Sequence, residues 1–210
     1  MSLYEDLVEY TSRNPDLVRW RCKIAAIELA WEWEKYKDDP LAFYRESDLY
    51  IFDLTEYQSR LNEVGIHQWF VEKIMNNQWK TMLDYGGGIG EYTLIASKLG
   101  IKVDFLEVAG SKTLDYAKWR FNKYDIRPTI FDENHKIDKK YDLIIAMDVL
   151  EHMSSPQPLI KDFASHSEFI MANPDQIVYN ALYPQHISKY SLTDYFSLEE
   201  RLLWKRKKSS

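Results

Sequence analysis

Apolar positions in the first third of the chain recur at spacings of three and four. Between Asp16 and Lys37, a stretch without Gly or Pro, they fall at Leu17, Trp20, Ile24, Ile27 and Trp31. That spacing draws one apolar stripe down a helix. Asn14-Pro15 supplies a cap and a first-turn proline, and Asp38-Asp39-Pro40 ends the run. A second helical stretch covers Leu41 to Arg60, rich in Phe43, Tyr44, Tyr50, Phe52 and Tyr57, and a third runs from Gly65 or Ile66 to Met75. Large aromatics at this density read first as a small core for a short helical layer.

Beyond residue 76 the pattern changes to short apolar runs alternating with helical ones. Thr81 to Tyr85 closes on Gly86, Gly87, Gly88 and Gly90, and Leu94, Ile95 and Leu99 then recur at helical spacing. A strand over Lys102–Glu107, a helix over Lys112–Lys123 capped by Ser111, and a strand over Thr129–Asp132 follow. The polar segment up to Tyr141 is too short for a helix. A strand from Tyr141, a helix begun by Ser155-Pro156 and a strand over Glu168–Ala172 complete the alternation, which predicts a parallel sheet with right-handed crossovers. Ser191 to Phe196 allows a short helix and Glu200 to Lys207 one strand, for a sheet of about six strands in all. The expected division is a helical cap over residues 1–76 and a sheet domain over residues 77–210.

The length of 210 residues and a hydrophobic content of 45% suffice for one such core. A net charge of −6 opposes a phosphate backbone, so nucleic acid is not the favoured partner. The one basic run, Lys205 to Lys208, reads as a solvated tail. Cys22 is the single cysteine and cannot form an internal disulfide. No signal peptide is read at the start, and no apolar run approaches the ~20 residues of a membrane span, so a cytoplasmic protein without a membrane partner is expected.

The glycine turn aims a helix N-terminus, with its unpaired N–H groups, at open space where a carboxylate or phosphate is favoured. Glu91 and Tyr92 stand where a P-loop needs Lys and Ser or Thr, and Glu91 also occupies the third glycine position of the dinucleotide fingerprint. The remaining pattern is Asp84-x-Gly86-x-Gly88-x-Gly90, with an acid, Glu107, ending the next strand about 20 residues on. Asp132 ends the third strand, and the fourth continues into Asp148-Val149-Leu150-Glu151-His152. These four segments, in this order, resemble the class I S-adenosylmethionine-dependent methyltransferases of the small-molecule branch.

The resemblance implies an α/β, Rossmann-like, mostly parallel sheet with helices on both faces, behind a helical N-terminal layer. It implies S-adenosylmethionine as cofactor, S-adenosylhomocysteine as product, and cofactor contacts from Asp84, Gly86, Gly88, Gly90, Glu107, Asp132 and Asp148. Helices before the glycine turn commonly line the acceptor pocket in relatives, which makes Tyr44, Tyr50, Tyr57 and Arg60 pocket candidates. The implied reaction is methyl transfer to an oxygen or nitrogen of a small molecule. His152, with an ordinary pKa near 6.5, is the candidate base.

A second reading is metal-assisted. Asp148, Glu151 and His152 fall within one turn, and His186 returns after Asn173-Pro174. The set resembles that of the ubiquinone-pathway O-methyltransferases and of the small-RNA 2′-hydroxyl methyltransferases, with Asp148 in place of their first Glu. Mg²⁺ is therefore possible but not favoured. A third reading is a cofactor-binding domain without catalysis, used for interaction. Amino-methylation of adenine or glutamine is disfavoured by the missing Pro-Pro pair, and cytosine C5 methylation by the placement of Cys22.

Overall fold

The computed structural model describes residues 2–174 and 183–208. The helical layer consists of α1 Leu3–Thr11, α2 Pro15–Tyr36, α3 Pro40–Glu46, α4 Tyr50–Glu63 and α5 Ile66–Asn77. Asn14 caps α2 by accepting from the N–H groups of Asp16 (2.9 Å) and Leu17 (3.3 Å). The stretch expected as one helix from Leu41 is two, α3 and α4. Ser47 separates them: its hydroxyl accepts from the Leu49 N–H and donates to Glu32.

Helix α2 buries a different face from the one its large residues suggest. Val18, Cys22, Ala25, Leu29 and Trp33 point inward. Leu17, Trp20, Ile27 and Trp31 are 48, 56, 41 and 72% exposed. Both stripes have helical spacing, so periodicity alone does not choose between them. The inner one carries Cys22 and Ala25, small enough for α2 to lie close against α4.

The sheet follows as β1 Thr81–Tyr85, α6 Glu91–Lys98, β2 Lys102–Leu106, α7 Lys112–Lys123, β3 Thr129–Phe131, β4 Tyr141–Ala146, a 3₁₀ turn Leu150–His152, α8 Gln157–His166 and β5 Ser167–Ala172. Two more strands, β6 Phe196–Glu200 and β7 Leu203–Arg206, form a hairpin. The spatial order is β3-β2-β1-β4-β5-β7-β6, parallel from β3 to β5 and antiparallel at β7 and β6. The sheet thus has seven strands rather than about six, and Ser191 to Phe196 is a turn leading into β6 rather than a helix. No glycine marks the hairpin turn, where Arg201 itself takes φ 47°. After Phe196, β6 is exposed along its length, so it lacks the apolar alternation of a half-buried strand.

Helix α5 covers one sheet face, packing Trp69, Phe70 and Ile74 on Met82, Leu143 and Ile145. Helix α8 covers the other with Ile160 and Phe163 against Leu83, Ile144 and Ile170. Leu7, Val18, Ile51 and Phe52 of the layer share a core with Ile89 of the glycine turn and Tyr116 of α7. A buried ionic knot reinforces this joint. Arg120 donates to Asp6 (3.1 Å), to Glu91 (2.6 Å) and to the Ile89 carbonyl (2.8 Å), while Lys123 and Tyr124 also donate to Asp6. The N-terminal layer is thereby pinned to the turn that opens α6.

Candidate functional site

In a doubly wound sheet, ligands bind beyond the carboxyl ends of the strands where the order reverses. Here that point lies between β1 and β4, with the glycine turn above it. Gly88 holds φ 55°, a left-handed conformation costly for residues with a Cβ. Around it the turn is packed closely: a Cβ at Gly86 would lie 2.7 Å from Val149, and one at Gly90 2.5 Å from Phe121. A Cβ at Gly88 would meet only the tip of Leu54, at 3.0 Å.

Glu107 closes the turn from β2. Its carboxylate accepts from the Gly88 N–H at 2.7 Å and from the Val108 N–H at 2.8 Å. Burial pushes its pKa up to about 7; those two N–H bonds oppose the shift, and Asp84 and Glu133 add to it. Asp84 is buried, 2% exposed, and accepts from the Thr93 hydroxyl at 2.6 Å, which ties β1 to the first turn of α6. Burial lifts its pKa to about 6.

One cavity of about 290 Å³ brings much of the expected set together. Its lining includes Gly86, Gly88 and Glu107, then Tyr44, Tyr50, Asp148 and His152. Asp84, Gly90, Asp132, Tyr57, Arg60 and His186 do not line it. Asp132 is exposed and accepts from the Asn134 N–H in a local turn. The neighbouring Glu133 lines the cavity instead, accepting from the Ala109 N–H and pairing with Arg45 at 2.6 Å. Arg60 pairs with Glu56 on the exposed side of α4. Sequence reasoning missed Glu133, Leu54 and Met153. Glu133 had a signal, since it sits one residue beyond the strand-ending acid. A larger cavity of about 410 Å³, lined by Trp79, Lys140, Asp142 and Arg206, lies at the opposite edge of the sheet, where the strands begin. It is remote from the glycine turn.

Beyond β4, Asp148 takes φ 58°, which turns the chain sharply into the 3₁₀ turn. The Tyr44 hydroxyl lies 2.9 Å from His152 Nδ1. The rings of His152 and His186 meet edge-on, with centroids 4.7 Å apart. Burial, with repulsion from His186, pushes the His152 pKa down to about 4, so the ring is neutral at pH 7. Burial also lowers that of His186 and raises that of Asp148 well above the carboxylate range, with Glu151 and Asp53 adding repulsion. Asp148, His152 and His186 each present a ligand atom within 4.8 Å of the others. His186 Nε2 is buried without a hydrogen-bond partner among the described residues. Glu151 is buried beside Asp148 and accepts from the Asn173 amide at 3.2 Å, but it is not one of the three converging groups.

Two imidazoles and a carboxylate suit a divalent transition metal better than Mg²⁺, which prefers an all-oxygen shell. Among the described residues, no helix is long and apolar enough to cross a membrane.

A sequence profile described as a methyltransferase domain matches residues 51–195. Among solved structures, an O-methyltransferase family protein from Burkholderia thailandensis is similar at 12% identity, with 89% of this chain and 72% of that chain covered and a TM-score of 0.58. A S-adenosylmethionine-dependent methyltransferase from Clostridium acetobutylicum shares 18% identity over 50% of this chain and 48% of its own, with a TM-score of 0.45. Magnesium protoporphyrin IX methyltransferase from Synechocystis PCC 6803, with bound S-adenosylhomocysteine, shares 22% over 54% and 58%, again at 0.45. The chain thus spans about half the length of these last two proteins. With a profile match over more than half of its residues, and the glycine turn and Glu107 on one cavity, the chain belongs to the methyltransferase domain family, the class I S-adenosylmethionine-dependent methyltransferases.

Proposed function

We propose that this chain moves the methyl group of S-adenosylmethionine to an oxygen or nitrogen of a small, largely apolar acceptor. The carrying observation is the single cavity that joins Gly86, Gly88 and Glu107 to Tyr44, Asp148 and His152. Gly88 leaves room for the methionine part of the cofactor, and Glu107 has lone pairs left for ribose hydroxyls after accepting two N–H bonds. Tyr44, Tyr50, Leu41 and Met153 supply an aromatic and aliphatic wall for the acceptor.

In the reaction the acceptor's lone pair forms a bond to the methyl carbon as the carbon–sulfur bond breaks, and the bonding electrons pass to sulfur. Alignment carries most of the rate. The acceptor's proton is left for His152, neutral at pH 7 and held by the Tyr44 hydroxyl.

Calorimetry tests the cofactor half. Gly88→Val should abolish S-adenosylhomocysteine binding, and Glu107→Ala should cost about 1.5 to 3 kcal/mol, the range for hydrogen bonds to charged groups. Undiminished binding in both variants would remove the assignment.

The Asp148, His152 and His186 group favours a second reading. A divalent ion held there would act as a Lewis acid on the acceptor oxygen. Chelator treatment separates the two: activity insensitive to chelator but lost in His152→Ala supports the base, whereas loss under chelator, with Asp148→Ala as damaging as His152→Ala, supports the metal.

A further inference from the structure

The outward stripe of α2 has no partner within the described chain. Leu17, Trp20, Ile24, Ile27 and Trp31 fall at alternating spacings of three and four, the seam pattern of a helix that pairs with another helix. Four of the five are 41 to 72% exposed. Together they present on the order of 450 Å² of apolar side chain, as much as the largest patch on a typical monomer.

The charges bordering this stripe say what covers it. From Asp16 to Lys23 the charged residues are Asp16, Arg19, Arg21 and Lys23; from Glu28 to Lys35 they are Glu28, Glu32, Glu34 and Lys35. The first half of the helix is therefore net positive and the second net negative. This order opposes the helix's own dipole, which favours acids at the N-terminus and bases at the C-terminus. Arg19 leans over the Tyr4 ring and Glu32 accepts from Ser47, whereas Arg21 and Glu28 stand partly exposed at the edge of the stripe, paired with each other at 3.4 Å, with the Arg21 guanidinium also 5.2 Å from the Phe52 ring centroid.

We propose that this face pairs with the same face of a second copy, the two α2 helices running antiparallel about a two-fold axis. Antiparallel pairing sets the positive half of each helix against the negative half of the other, brings Arg21 of one copy to Glu28 of the next on both sides of the axis, and aligns the dipoles favourably. The seam suits a dyad because it has a Trp toward each end and Ile24 and Ile27 in the middle. The apolar area is roughly half of the ~800 Å² that each partner gives to a standard interface, and the charged borders extend it.

Sedimentation velocity over a rising protein concentration tests this directly. The unaltered chain should pass from monomer to twice its mass, and Trp20→Ser/Trp31→Ser, changes at exposed positions, should remain monomeric while keeping the native circular dichroism. Arg21→Glu and Glu28→Arg should each weaken self-association at least tenfold, and an equimolar mixture of the two should regain the dimer, because unlike charges then face each other in the mixed pair. A parallel pair would not be rescued by mixing, since Arg21 and Glu28 would face Asp16 and Lys23 instead. A chain monomeric at every concentration, a dimer indifferent to loss of both tryptophans, or a mixture no better than its components would each overturn the proposal.

Discussion

His152 and Glu107 both owe their protonation behaviour chiefly to burial. Tyr44 sits 2.9 Å from His152 Nδ1 and fixes the ring, so Tyr44→Phe should lower turnover about tenfold and His152→Ala roughly 100-fold or more, both with cofactor affinity intact. Steady-state kinetics beside calorimetry would check the pair. Burial pushes the Glu107 pKa up to about 7, and under the proposed binding mode only the anion would accept from both ribose hydroxyls. Affinity for S-adenosylhomocysteine should therefore fall as pH drops, by about tenfold from pH 8 to 6, and Glu107→Gln should flatten the profile. That His152 and Glu107 both line one cavity was legible from the strand-end acid and the Leu-Glu-His run. The Tyr44–His152 contact was not, because it joins positions 108 apart through the packing of α3. Asp84 was legible as part of a pattern, yet its carboxylate serves the Thr93 hydroxyl, a distinction that only side-chain direction reveals.

Among the elements, the alternation of strands and helices from Thr81 to Ala172 was readable because each strand carries a short apolar run and the helices begin at Gly90, at the Ser111 cap and at Pro156. The terminal hairpin was not, since β6 has no alternation and its turn no glycine. The joint between α1 and α7 was also hidden: Asp6 and Arg120 look like ordinary surface charges until the helices meet. Arg120→Met should cost about 3 kcal/mol in urea unfolding, because Glu91 would lose its guanidinium partner and the buried Asp6 would keep only Lys123 and Tyr124. Burial alone would raise the Asp6 pKa, but the bonds from Tyr124 and Lys123 and the charge of Arg120 outweigh it and hold it below the ordinary aspartate value. A depressed acid contributes stability above its unfolded value and loses it as pH falls through the folded one. Wild-type stability should accordingly decline below pH 4 more steeply than that of Asp6→Asn, measured by denaturant midpoints.

At the scale of the whole molecule, the glycine turn is held between the N-terminal layer, through Leu54 and Ile89, and β2, through Glu107. Ligand bound there reports on global unfolding. Saturation with S-adenosylhomocysteine at 100 times its Kd should add about 2.7 kcal/mol and raise the melting temperature by roughly 5 to 10 °C, and Gly88→Val should show no such rise. Both margins of the sheet are blunt. Strand β3 is three residues long and follows Pro128, and β6 ends in the carboxylates Glu199 and Glu200. Short or charged margins give an incoming chain few free N–H and C=O groups to zip onto, so growth of the sheet across molecules is discouraged. Crowded copies of this protein would then meet through side chains on a helix and stop at a closed pair, rather than adding strand upon strand into a fibre.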